Sequence, residues 1–544
     1  MPAEELSALV SGLPEIYQPV YGHSELYGQV SRPCHDRLES LLQVYAALQQ
    51  QLGRPLKVLD LGCAQGFFSL SFAERGATVH GIDYLDSNVA LCNALARENP
   101  QFKVTFEASR VEQVIMRLEP DQYDLILGLS VFHHIIYDSG VDEVKALLEH
   151  AAGVCDVLIV ELALNQEPLY WGLVQAHDPR TLLESIAFVH EVARHGTHLS
   201  SVDRPLYVAS NRFWIFGGLA GRFDSWTAEP HALANGCHEG SRRYFFGATT
   251  VTKTYRFDHK LAEHNKSEFV REKTFLTSPP PGFSVPDCLI AGESSTAGWL
   301  VMKRLPGRLL LDLLSDGAVF DRRRLLLSVL EQLAILEAAG LYHDDIRSWN
   351  ILVTASGAGL LIDFGSITTQ ICDVVPPGNP FLSYLILVRE VATGVVDDAT
   401  APRIVSISPY GLPQPFQTWA MTLWLTPLSE WTFKLMHQTL LPLLQTPANI
   451  TGSALRQTAE PWMGVIKDAA RERELHVKDL EARNHQAEAR ASQAEARASQ
   501  AEVEVLAMLG SYSWRITAPL RWLHSKTRRK ERRSAQQAFD RPDS

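Results

Sequence analysis

The sequence predicts a multidomain chain: an α/β Rossmann-like domain, an α+β bilobal domain and a C-terminal coiled coil. Three observations carry this prediction. Between Lys57 and Ser130 short apolar runs alternate with helical stretches, and a glycine turn follows the first run. In mid-chain, His343-Asp344-Asp345-Ile346-Arg347-Ser348-Trp349-Asn350 is followed, 13 residues after Asn350 (363 − 350), by Asp363-Phe364-Gly365. Near the C-terminus, Gln486-Ala487-Glu488-Ala489-Arg490-Ala491-Ser492 recurs unchanged as Gln493–Ser499. Shifts in composition divide the 544 residues into 1–205, 206–461, a coil over 470–509 and a basic tail over 510–544.

The first domain opens its chemistry at Lys57-Val58-Leu59-Asp60-Leu61-Gly62-Cys63-Ala64-Gln65-Gly66, an apolar strand running into a turn and a helix start. Gly62 and Gly66 let the backbone approach a ligand without a Cβ clash. A second strand, Ala77 to Asp83, ends in an acid suited to ribose hydroxyls, as in nucleotide-binding βαβ units. A nicotinamide cofactor calls for G-x-G-x-x-G. The pattern here is D-x-G-x-x-x-G, which resembles the class I S-adenosylmethionine methyltransferases. Tyr123 to Ser130 reads as their fourth strand, followed by Val131-Phe132-His133-His134. By that resemblance Asp60, Gly62, Gly66, Asp83, Ser109 and Leu129 line the methyl-donor site, with Ser109 standing where that family often has Asp. His133 or His134 is either a base or a packing residue.

The mid-chain motif is the H-x-D-x-x-x-x-N…D-F-G set of a phosphotransferase. Phosphoryl transfer needs positioning and charge neutralisation more than covalent help. Asp345 is expected to orient the substrate hydroxyl, Asn350 and Asp363 to hold Mg²⁺, and Arg347 to touch the γ-phosphate of ATP. Upstream, Lys253 in Thr250-Val251-Thr252-Lys253 reads as the phosphate-pairing lysine. Its helical partner is Glu272, or Glu268 one turn earlier. Trp299 to Gly307 reads as the hinge, with backbone groups of Lys303 and Leu305 reading adenine. A glycine-rich loop is expected between Glu239 and Gly247. Asp344 replaces the arginine that elsewhere pairs with a phosphorylated activation loop, and no Ala-Pro-Glu follows Asp363. Both departures point to a constitutively active kinase with a non-protein substrate.

The whole chain resembles the bifunctional kinase–methyltransferases that terminate bacterial O-antigen polymannose chains. The resemblance rests on Ile16-Tyr17-Gln18-Pro19-Val20-Tyr21-Gly22, on Arg32-Pro33-Cys34-His35-Asp36-Arg37, on the fused kinase and coil, and on Ser406 to Pro415. It implies that the kinase phosphorylates the non-reducing terminal sugar of an undecaprenyl-linked polysaccharide and that the methyltransferase then methylates that phosphate. It implies a donor-binding role for Tyr17, Gln18 and Arg37, a trimer, and a partnership with a polymerising mannosyltransferase. It places the protein at the cytoplasmic face of the bacterial inner membrane. Arg32 or Arg37 supplies cationic positioning.

Counting heptads puts Val477, Asn484, Ala491, Ala498 and Val505 at a, and Leu480, Ala487, Ala494 and Ala501 at d. Arg483, Arg490 and Arg497 at g face Glu488, Glu495 and Glu502 at e, which favours parallel in-register helices. The tail mixes Trp514, Ile516, Leu520 and Trp522 with Lys526, Arg528, Arg529, Lys530, Arg532 and Arg533, the composition of a peripheral segment on an anionic membrane. A net charge of −12 and the lack of any nucleic-acid motif speak against nucleic-acid binding. Seven scattered cysteines without C-x-x-C fit a reducing compartment. No apolar run reaches ~18 residues, and no signal-peptide pattern opens the chain. The rival reading is a scaffold, in which coil and tail recruit the polymerase and the catalytic domains act on another small sugar or lipid. Deleting Gln493–Ser499 removes one heptad, roughly 10 Å at ~1.5 Å per residue, and keeps the a/d register. If the coil is a ruler, cellular polysaccharide runs shorter on a gel while turnover of a soluble acceptor is unchanged. An unmoved modal length marks the coil as a tether only.

Overall fold

A computed structural model describes residues 3–234, 236–374, 379–396, 408–409, 412–445, 470–471, 473–498 and 500. The described chain forms two compact units. The first runs to Leu309 and adds Ile351–Ser356 and Leu360–Thr368; the second holds Leu310–Asn350, Gly357–Gly359 and the chain from Thr369.

The first unit is built on a seven-stranded sheet in the order β3-β2-β1-β4-β5-β7-β6. Its strands are β1 (Lys57–Leu61), β2 (Thr78–Asp83), β3 (Lys103–Ala108), β4 (Leu125–Leu129), β5 (Val157–Glu161), β6 (Phe188–His195) and β7 (Arg204–Ser210). β1 to β5 are parallel, and β7 joins antiparallel to β5. Strands β4 and β5 are buried throughout, as expected of a sheet covered on both faces. The helices are α1 (Ala3–Ser11), α2 (His35–Leu52), α3 (Phe67–Glu74), α4 (Asp86–Glu98), α5 (Val111–Met116), α6 (Phe132–Ser139) and α7 (Val141–Val154). Strand order reverses between β1 and β4, which opens a ligand crevice at their carboxyl ends.

The expected boundary at 205 needs correction. Strand β7 crosses it, because Leu206, Tyr207 and Val208 pair with β5 and complete the sheet. A hairpin follows, β8 (Phe213–Phe216) and β9 (Leu219–Arg222), packed on α2. A second, antiparallel sheet starts only at β10 (Ser225–Thr227) and includes β11 (Arg242–Phe246), β12 (Thr250–Arg256), β13 (Cys288–Glu293) and β14 (Ala297–Lys303). Helix α8 (Ala262–Thr277) lies against it. One buried apolar cluster joins the two sheets through Phe188, Leu206, Trp214, Phe216, Phe245 and Val301. Phe216 stacks on Trp299 at 5.1 Å and 4°.

The expected glycine-rich loop is also displaced. Residues 242–246 are strand β11, so the turn between the first two strands of the sheet is 228–241, with Glu239 and Gly240 at positive φ.

The second unit is helical: α9 (Leu310–Ser315), α10 (Arg322–Ala338), α11 (Pro380–Thr393), α12 (Phe416–Leu423) and α13 (Phe433–Gln445). Asp321 caps α10 by accepting from Arg324 N at 3.0 Å, and Asn379 caps α11 before its proline. Trp419 is fully buried and donates to Met436 O and Thr439 Oγ1. Residues 473–498 are helical and exposed on the chain by itself, including Val477 and Leu480 of the heptad seam. Ala501, Val505 and the basic tail lie outside the described residues, as do residues 446–469. Among the described residues no helix is long and apolar enough to cross a membrane.

Candidate active sites

The methyl-donor crevice is assembled by the turns after β1, β2, β3 and β4. Gly62 (φ 74°) and Gly66 (φ 76°) adopt the left-handed backbone that the tight turn requires, and Gly62 and Cys63 both donate to Ile82 O at 2.8 Å. A Cβ at Gly66 would meet Cys92 Sγ at 3.0 Å. Asp83 is nearly buried and accepts from Ala64 N, from Leu85 N and from Asn88 Nδ2. Burial raises its carboxyl above the ordinary range, against those hydrogen bonds. Oδ1 accepts two of these bonds and Oδ2 one, so Oδ2 keeps a second lone pair that a ribose hydroxyl could use. Ser109 stands beside it, donating its backbone N–H to Asp83 O. Leu129 closes β4 and is buried, and Ser130 follows at positive φ.

Three expected donor-binding residues are held inside the protein. Asp60 accepts from Ser69 Oγ at 2.6 Å, and burial pushes its carboxyl up to about 6. Gln18 accepts from Phe67 N at 3.1 Å and so caps the first turn of α3, while its own N–H donates to Gln65 Oε1. Arg37 is buried to 1% exposure, paired with Glu161 at 3.1 Å and stacked over Phe68. These three side chains shape the crevice from behind. Tyr17 is held nearer to it, its hydroxyl accepting from Arg32 at 3.1 Å.

The organiser is a residue the sequence reading missed. Glu161, at the end of the fully buried β5, has no solvent exposure. It accepts from Arg32 at 2.8 and 3.1 Å, from Arg37 at 3.1 Å and from Ser130 Oγ at 2.8 Å. Burial opposes its ionisation, but Arg37 and Arg32 overcome that and hold its carboxyl below the usual range. The available signal was a lone acid closing an all-apolar strand, Val157-Leu158-Ile159-Val160-Glu161. Arg204 pairs with Glu167 at 2.6 and 2.7 Å. Arg32, Arg37 and Arg204 thus line this side of the crevice, with Arg32 bonded to both Ser130 and Tyr17. His133 is buried and held neutral, first by burial and then by Arg204, His134 and Arg32; His134 is shifted the same way.

The residues of the first unit expected at the phosphates and metal form one cluster. Lys253 Nζ lies 2.7 and 3.0 Å from the carboxylate of Glu272 and 3.2 Å from Asp363 Oδ1. Burial alone would lower its pKa, but the two carboxylates carry it well above the ordinary value. Of the two expected partners Glu272 is the one placed here, and Glu268 pairs with Arg242 instead. Asp363 sits at φ 63°, strained for a residue with a Cβ. Phe364 holds it there by stacking on Phe275 at 5.3 Å, and Arg271 Nε donates to Gly365 O at 2.7 Å. In the hinge, the N–H of Lys303 donates to Asp287 O, and Leu305 follows β14 in an irregular segment.

The catalytic loop belongs to the second unit. Asp345 Oδ2 accepts from Asn350 Nδ2 at 2.7 Å and from Trp349 Nε1 at 2.9 Å. The motif did not reveal this second donor, Trp349. Arg347, expected at the γ-phosphate, is instead buried to 1% and paired with Asp373 at 2.7 and 3.0 Å. Asp373 thus takes up the charge of Arg347 within the protein.

Fold and motifs together define a class: a methyltransferase domain fused to a kinase-type domain in one chain. The methyltransferase domain family matches residues 53–155. A solved structure of the bifunctional kinase-methyltransferase WbdD is 42% identical, with a TM-score of 0.72, covering 84% of this chain and 100% of that one. A second, with its C-terminal bundle ordered, is 41% identical with a TM-score of 0.77, covering 90% and 99%. The chain belongs to the WbdD family. An Escherichia coli protein described as the O-antigen chain terminator bifunctional methyltransferase/kinase WbdD is 44% identical over 468 residues, 85% of this chain and 66% of that protein. The chain therefore spans about two thirds of the length of its curated relatives.

Glu161→Ala leaves two buried arginines without their anion. The expected loss is about 3–5 kcal/mol of stability, read by denaturant unfolding. Glu161→Gln, which preserves the shape, should fold but bind S-adenosylmethionine more weakly by calorimetry.

Proposed function

We propose that this chain terminates a polymannose-type O-antigen polysaccharide by phosphorylating its non-reducing terminal sugar with ATP and then methylating that phosphate with S-adenosylmethionine. The observation that carries the reading is the joint presence of the Lys253–Glu272–Asp363 cluster, an Asp345 held by two donors and an arginine-lined donor crevice in one chain. That intact set speaks against a scaffold-only role. Asp345 orients the sugar hydroxyl, and Lys253, steadied by Glu272, pairs with the triphosphate. Asn350 and Asp363 offer the oxygen ligands that Mg²⁺ prefers, and the ion would neutralise phosphate charge. Arg347 acts through Asp373 to fix the loop.

The methyl step needs little acid–base help. A phosphate monoester has a second pKa near ~6 and is largely dianionic at neutral pH. Its oxygen attacks the sulfonium methyl; the C–S bond breaks, and the thioether leaves with the electron pair. Arg32, bonded to Tyr17 and Ser130, is the cation that faces that dianion. Undecaprenyl-linked acceptor, trimeric assembly, contact with a polymerising mannosyltransferase and peripheral binding at the cytoplasmic face of the inner membrane complete the proposal.

Two outcomes test it, read by mass spectrometry of a mannose oligosaccharide incubated with ATP, Mg²⁺ and S-adenosylmethionine. Asp345→Ala should abolish both phosphate and methyl addition. Gly62→Arg, which places a side chain at φ 74° against Val131, should accumulate the unmethylated phosphate. Methyl transfer to an unphosphorylated acceptor by the Asp345→Ala protein would sink the reading. On a pre-phosphorylated acceptor, methyl transfer should be flat from pH ~7 to 8 and fall below ~6 as the dianion is protonated. Because both histidines are shifted down, His134→Asn should leave that inflection in place.

A further inference from the structure

A ladder of aromatic rings leads from the methyl-transfer crevice to the surface. It begins at His133, in the first turn of α6, immediately after β4 and Ser130. His133 and His134 lie 4.1 Å apart by ring centroid, and Trp171 lies 4.7 Å from the first and 5.3 Å from the second. Trp171 meets Tyr170 edge-on at 4.6 Å, and Tyr170 meets Tyr137 edge-on at 5.0 Å. The inner end is buried, and His133 Nδ1 has no hydrogen-bond partner. The outer end is open: Tyr137 is 49% exposed, Tyr170 63% and the neighbouring Leu173 94%.

The platform is stiff. Trp171 Nε1 donates to Glu167, which is locked by Arg204. Gln175 Nε2 donates to the carbonyls of His133 and Trp171, tying α6 to the segment after β5. Rings fixed in this way lose little entropy when they bind. Exposed aromatics on an anchored frame mark an interaction site.

We propose that Tyr137 and Tyr170 form a sugar-stacking subsite that grips the pyranose rings of the acceptor behind its terminal phosphate. This rests on the reading that the methyl acceptor is a sugar phosphate. A pyranose has an apolar C–H face and a hydroxyl rim, and a tyrosine offers a matching apolar face and a polar hydroxyl. The crevice charge holds the phosphate at the inner end while the tyrosines hold the chain at the outer end. A second protein is a poorer occupant, since two tyrosines and Leu173 fall far short of the roughly 20–30 residues a side that a stable protein interface uses.

The test uses the full chain and a synthetic mannotriose bearing a terminal phosphate monoester, with S-adenosylmethionine. Tyr137→Ala/Tyr170→Ala should raise KM for this acceptor about tenfold while kcat stays within about twofold, the signature of lost binding that is uniform between ground and transition states. S-adenosylmethionine affinity and the rate of sugar phosphorylation should not move, and Tyr170→Trp should restore KM. An unchanged KM overturns the subsite while leaving the proposed function standing, provided the unsubstituted chain methylates the compound. Failure of the unsubstituted chain to do so overturns both. Equal losses of acceptor and donor affinity, or a fall in solution mass by light scattering, also overturn it, in favour of a structural role or an interface between copies.

Discussion

A carboxylate with no exposure to water, held by two arginines and a serine, organises the methyltransferase half of the molecule. Glu161 closes β5, Arg32 and Arg37 come from the N-terminal segment and α2, and Ser130 comes from the turn after β4. Each group would be costly to bury alone, and together they satisfy one another. The consequence is positional. The N-terminal segment with Tyr17 is tied to the end of the sheet where the strand order reverses, and the crevice acquires a floor of fixed charge. Gln18 extends the same tie to the first turn of α3.

The kinase-type domain relies on the same device in a less enclosed form. Lys253 keeps its charge in a buried setting only because Glu272 and Asp363 flank it. Asp363 is kept in a left-handed conformation by the packing of Phe364 and by the clamp of Arg271 on the next carbonyl. In the second unit Arg347 and Asp373 form a buried pair that needs no modification to close, which suits a kinase without a regulated activation segment.

The two sheets of the first unit share one apolar cluster, in which Phe216 of the hairpin stacks on Trp299 of β14. A destabilising change in that cluster would therefore be felt by both. A boundary drawn from composition at 205 fell inside a strand because the polar stretch before it, Gly196 to Asp203, is the turn between β6 and β7 and not a linker between domains.

What the sequence alone determined is local chemistry at fixed spacing. The D-x-G-x-x-x-G turn, the acid closing β2, the H-x-D-x-x-x-x-N loop and Asp-Phe-Gly each depend on residues close together in the chain, so both folds and their core residues were legible. Spatial partnership was not. Glu272 and Glu268 are one helical turn apart and equally plausible on paper; the seating of α8 against β12 decided between them. Arg347 and Arg37 read as ligand contacts because an arginine's partner cannot be inferred from its neighbours. Asp373 lies 26 residues from the first and Glu161 lies 124 from the second, and only folding brings them together. The aromatic ladder was invisible for the same reason, since Tyr137 and Tyr170 meet only when the segment after β5 folds back over α6.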